Sequence, residues 1–115
     1  MSISQTEFLE HILVEIEYLK RYSSHLSFDQ FIQDETLKRA CTRSLEIIGE
    51  ASKKLSNDLK SRYTEIDWKS ITGTRDKLIH DYFGVDFEIV WDILENKIPI
   101  FEKQIRTILQ REVKK

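Results

Sequence analysis

Apolar residues recur every three or four positions over most of the chain, with charged residues filling the intervals, which is the period of helices packed on one side. From Ile3 to about Tyr22, Leu9, Ile12, Ile16 and Leu19 form one stripe while Glu10, Glu15 and Lys20 lie off it, predicting a first amphipathic helix. Ser23 to Gln33 mixes polar residues with Phe28, Phe31 and Ile32, as expected of a connection holding one short helical turn. Asp34 is placed to cap a long second helix, in which Leu37, Cys41, Ser44, Ile48, Ala51, Leu55 and Leu59 repeat. Gly49 falls inside that stripe, where it costs about 1 kcal/mol relative to Ala, so a close crossing by another helix is expected there. Asp67 caps a third helix that begins at Trp68, bends or restarts near Gly73 and continues through Tyr82 until Gly84 stops it. Asp86 caps a fourth, whose positions Phe87, Val90, Trp91, Leu94, Ile98, Phe101, Ile105 and Ile108 hold phase through Pro99. Proline removes one hydrogen bond without resetting that pattern, which predicts one kinked C-terminal helix. The pattern specifies an all-α bundle of four to five helices, with residues 1–115 as a single domain.

Composition agrees with this reading. Charged residues make up 33% and hydrophobic ones 40%, and with three Gly and one Pro the chain favours helix over turn-rich β structure. A chain of 115 residues can bury roughly two thirds of its unfolded surface, so no cofactor is required for stability and none is expected. The lone Cys41 can form no intrachain disulfide and has no companion at zinc spacing, which suits a reducing compartment. Met1 to Glu10 carries no apolar run of signal length, and no window approaches about eighteen apolar residues, so a cytoplasmic protein with no membrane partner is expected. A net charge of -2 argues against a protein that coats nucleic acid. Lys38-Arg39 with Arg43, Lys53-Lys54, Lys60 with Arg62 and the tail from Lys103 read as solvated helix faces. Without a Gly-rich phosphate loop or an acidic cluster for two metals, nucleotide hydrolysis and polymerisation fall away. His11 and His25 lack companions at ligand spacing, and Trp68 and Trp91 sit at apolar positions as packing anchors.

The stretch from Arg75 to Tyr82 stands out against this background. It gathers a permanent cation, a group titrating near neutrality and a phenol within two helical turns. At about 100° per residue, Arg75 and Tyr82 share a face, whereas His80 lies about 140° from Arg75 and beside Asp76. Arg75 and His80 can converge in two ways: the helix ends early so that His80 swings back, or the same helix of a second subunit completes the site across a twofold axis. Attack of an RNA 2′-hydroxyl on its own phosphate needs a base, an acid and no metal. An imidazole of pKa about 6.5 fills either proton role, and Arg75 can hold phosphate oxygens bidentately. Tyr82 can bond a phosphate or stack on a base, and Asp76 can orient His80. A different class of reading makes the chain a non-catalytic helical module that docks a nucleotidyltransferase, which the acidic net charge favours.

Ile47-Ile48-Gly49-Glu50-Ala51, then Asp67 through Arg75, Leu78 through Asp86 and Val90-Trp91 closely resemble the HepT-like family of HEPN-domain proteins, in order and across essentially the whole chain. The family signature, Arg with a polar residue after it, then His and Tyr, falls on Arg75, Asp76, His80 and Tyr82. The resemblance implies a HEPN-type bundle and a metal-independent endoribonuclease acting as the toxin of a type VII-like HepT/MntA toxin-antitoxin module. It also implies a homodimer with the cleft at its interface, Arg75 and His80 as catalytic residues, and an MntA-like nucleotidyltransferase antitoxin. In some members that partner transfers AMP onto the motif tyrosine, here Tyr82, where added negative charge would repel RNA. The chain departs from the family pattern at Thr74, often Met, and at Asp76, often Asn, which adds a negative charge where RNA must approach.

Overall fold

Side chains accepting backbone N–H groups set the helix starts. In the computed structural model, which describes residues 4–79 and 84–113, Ser4 caps α1 (Gln5–Ser23) by accepting from the Glu7 amide. Ser27 and Gln30 form a reciprocal capping box on α2 (Phe28–Gln33), the short helical turn expected in the connection. Asp34 accepts from the Leu37 amide at 3.0 Å to start α3 (Glu35–Lys53), and Asp67 accepts from Ser70 at 3.1 Å to start α5 (Trp68–Thr72). Asp86 accepts from both Glu88 and Ile89 at the head of α7 (Phe87–Asp92). All three aspartate caps stand where the sequence put them. Ile3, assigned to the first helix from sequence, lies outside the described residues.

The long second helix is shorter than its apolar stripe. It ends at Lys53, and a separate α4 (Asn57–Arg62) begins at Ser56, whose hydroxyl accepts from the Leu59 amide. The Ser56 amide in turn donates to the side chain of Gln5 at 2.6 Å, so a contact from the start of α1 stabilises the break. Leu55 is buried within the break and Leu59 on α4 beyond it, which is why both matched the stripe.

The third helix also departs from expectation. It restarts at Gly73 as anticipated, but α6 (Thr74–Leu78) stops well before Gly84. Ile79 is already extended, with φ -103° and ψ 120°, and pairs across an antiparallel bridge with Val85. The Asp86 amide donates to the Leu78 carbonyl at 2.8 Å, a pairing across the connection next to the Ile79–Val85 bridge. Gly84, with φ +84°, belongs to that connection rather than to a helix end.

The C-terminal run is continuous across Pro99, through α7, a π-helical turn (Ile93–Lys97) and α8 (Ile98–Val113). The turn is wide because the Ile98 amide reaches back to Ile93, five residues earlier, directly before the proline that cannot donate. Val90, Leu94, Ile98, Phe101, Ile105 and Ile108 keep one buried face along this run. It packs with α1 and α3 around a core that includes Leu9, Ile16, Phe31, Cys41 and Leu78. Trp91 packs beside Phe31, with ring centroids 5.1 Å apart, and Trp68 meets Phe101 edge-on at 6.3 Å. The result is an all-α HEPN-type bundle, with no named strand among the described residues.

Two side chains need separate mention. Cys41 is fully buried, and burial together with the charge of Asp34 pushes its thiol up to about 11, which leaves it unreactive at neutral pH. Lys38, assigned from sequence to a solvated face, is instead buried, with Nζ 2.9 Å from Glu35 and 4.6 Å from the centre of the Phe87 ring. Its aliphatic stem covers apolar surface while the ammonium keeps a carboxylate and an aromatic face.

Candidate active site

Gly49 lets α5 and α6 lie close on α3. A Cβ added there would stand 3.1 Å from the Ile71 carbonyl oxygen and 4.0 Å from Thr74 Cβ. The close crossing inferred from the sequence is therefore real, and it fixes where α6 presents its residues. Thr74 ties the junction by donating its hydroxyl to the Ile71 carbonyl at 2.7 Å. One residue on, Arg75 projects with its side chain 69% exposed, and its Nε lies 3.7 Å from Glu46 Oε2 on α3. Its fork of N–H donors is therefore open to a ligand.

Asp76 is exposed on the next position, and Lys77 donates a hydrogen bond to the Ser70 hydroxyl. Leu78 is fully buried and anchors the end of α6 in the core. His80 and Tyr82 lie outside the described residues, so the structure brings neither together with Arg75. It does place the two ends of the segment that carries them. Ile79 and Val85 are bridged, and Leu78 and Asp86 are hydrogen bonded, directly beside Arg75. The separation of about 140° holds for a straight helix, and α6 ends at Leu78.

A groove of about 380 Å³ opens on the flank of α6 that carries Thr74 and Lys77, floored by Ile71, Ile93 and Phe101. Arg75 is about 200° around the helix from Lys77 and does not line it. Among the described residues no group of His, Cys, Asp and Glu is arranged to hold a metal ion. No helix among them is long and apolar enough to cross a membrane. Glu46, which pairs with Arg75, was not singled out from the sequence; its only mark there is a carboxylate one helical turn before the crossing glycine.

A helical bundle that seats an exposed arginine beside a pinned connection is consistent with the HEPN-type class that the sequence resembles. The comparisons with known proteins sharpen this class. The family described as Ribonuclease HepT-like matches residues 12–108. A protein of Caldanaerobacter subterraneus subsp. tengcongensis named "Putative RNase TTE0752" is 49% identical over 105 residues, covering 91% of this chain and 94% of its own. One of Methanocaldococcus jannaschii named "Putative RNase MJ0127" is 42% identical, covering 90% and 85% respectively. One of Thermococcus cleftensis named "Probable ribonuclease HepT" is 41% identical, covering 86% and 90%. No solved structure matches at a significant level. The chain belongs to the HepT-like ribonuclease family.

Proposed function

We propose that this protein is a metal-independent endoribonuclease in which Arg75 holds the scissile phosphate and His80 moves the protons. The observation that carries the reading is the open guanidinium of Arg75 beside the closed base of the segment bearing His80, in a chain of the HepT-like family. In this mechanism neutral His80 takes the proton of the 2′-hydroxyl as its oxygen attacks the adjacent phosphorus. A protonated His80 from a second subunit gives a proton to the departing 5′-oxygen. Arg75 neutralises the charge that develops on the non-bridging oxygens. The products carry a 2′,3′-cyclic phosphate and a 5′-hydroxyl. Asp76 orients the imidazole, and a homodimer supplies the second histidine.

The biological setting we infer is a toxin-antitoxin module of the HepT/MntA type, with an MntA-like nucleotidyltransferase as antitoxin. Attack of the Tyr82 phenol oxygen on the α-phosphorus of ATP, with loss of pyrophosphate, would place an AMP group on the motif and exclude RNA by charge and bulk. Family membership supports this setting.

The chemistry is tested with an oligoribonucleotide cleaved by the protein and its copy bearing a 2′-deoxy nucleotide at the cleaved position, both in EDTA. Cleavage of the first alone, leaving a cyclic phosphate end, is expected. Cleavage of the deoxy copy at that position would rule out internal attack. Intact mass after coexpression with a neighbouring nucleotidyltransferase gene tests the control step: AMP-sized additions are expected and should vanish in Tyr82→Phe. A tight complex at unchanged mass would mean that the partner masks the site instead.

A further inference from the structure

We propose that Glu46 is a positioning residue for Arg75, holding the guanidinium by its Nε edge so that the Nη pair faces the scissile phosphate; this rests on the ribonuclease reading above. The approach is from the Nε side, where Nε of Arg75 lies 3.7 Å from Glu46 Oε2, an ion pair rather than a hydrogen bond. A guanidinium grips an anion through parallel N–H pairs, so a carboxylate on the Nε side steers the group while leaving the terminal pair free.

The surroundings show why the pairing is selective. Arg43, three residues before Glu46 on α3, turns to Glu50 at 3.4 Å instead, which leaves Glu46 to Arg75. The Glu46 side chain is only 20% exposed, whereas Arg75 is 69% exposed, so the carboxylate is the more enclosed member and the arginine the more mobile one it can steer. Gly49 lies one turn beyond Glu46, and the Ile71 carbonyl seated against it fixes where Arg75 emerges relative to α3. An inhibitory latch would need a tighter grip. The structural ion pairs of this molecule, Arg62 with Glu112 at 2.7 Å and Arg106 with Glu102 at 2.9 Å, are within hydrogen-bonding distance. The Arg75 pair is longer and its guanidinium is exposed, too weak to compete with a bidentate phosphate.

The two roles predict opposite kinetics. Removing the charge of Glu46 lowers the negative potential at the site, so RNA should bind as well or better, while Arg75 loses its orientation as transition-state charge develops. In Glu46→Gln, kcat should fall about fivefold with KM unchanged or lower. In an Arg75→Lys background, which has no Nε–H edge, the same substitution should change kcat less than twofold. A rise in kcat would make Glu46 a latch, and an equal loss in both backgrounds would make its effect independent of Arg75; either result overturns the proposal. Orientation can also be read without activity, from the Arg75 Nε–Hε order parameter by NMR, which should fall in Glu46→Gln. An unchanged order parameter overturns the proposal even if the wild type cleaves RNA. A wild type that cleaves nothing, with the order parameter falling as expected, refutes the ribonuclease reading and leaves Glu46 as the group that orients Arg75.

Discussion

A Cβ at Gly49 would meet a backbone carbonyl at 3.1 Å, so any larger residue needs the Ile71 carbonyl to give by a few tenths of an ångström. Gly49→Val should push α5 away from α3 and cost about 1–3 kcal/mol in urea unfolding, the range of an overpacked interior. Unchanged stability would mean that the crossing is looser than it looks. This residue was legible in the sequence, because glycine inside an apolar helical stripe is hard to explain without a close neighbour. Glu46 was not. A carboxylate on a charged helix carries no local mark of its partner, and Arg75 reaches it only through the tertiary placement of α6.

At the scale of elements, local chemistry was readable and tertiary chemistry was not. Asp34, Asp67 and Asp86 cap helices through amides two or three residues away, so nothing beyond the neighbouring sequence is needed to foresee them. Asp86→Ala should cost about 1 kcal/mol in chemical denaturation, since two α7 amides lose their acceptor. A loss too small to measure would show that solvent replaces the cap. The end of α6 was hidden because no Gly or Pro separates Arg75 from Gly84, and termination comes from the bridge of Ile79 to Val85. The break between α3 and α4 was hidden for a similar reason: it depends on Gln5, far away in sequence, accepting from Ser56. The π turn ahead of Pro99 preserved the apolar phase that made the C-terminal run look continuous.

At the scale of the molecule, one carboxylate joins the first and last helices of the chain. Glu102 on α8 lies 3.0 Å from Lys20 on α1 and 2.9 Å from Arg106, which also reaches Glu17 of α1 at 3.4 Å. Burial alone would raise the Glu102 carboxyl, but hydrogen bonds and charge from Lys20 and Arg106 outweigh it and hold the group below its ordinary 4.5. A carboxyl depressed in the folded state contributes stability that is complete above the unfolded value and disappears as pH falls through the lower folded one. Glu102→Gln should therefore cost roughly 1 kcal/mol at pH 7, and the difference from wild type should shrink below about pH 4.5. A difference independent of pH would assign the loss to packing. The same long-range dependence limits what sequence reading can give for the site. Arg75 is visible as a motif, but its placement beside Glu46 and next to the Ile79–Val85 bridge is set by how α3 and α6 pack.

The proposed chemistry has Arg75 and His80 act on RNA without a metal. The direct measurement is cleavage of a mixed RNA substrate in EDTA by the wild-type protein, Arg75→Ala and His80→Ala, each checked for a wild-type oligomeric state and melting temperature. Cleavage by the wild type alone, with both variants reduced at least about a hundredfold, is the predicted result. Cleavage that requires added metal, or that survives His80→Ala, would contradict it.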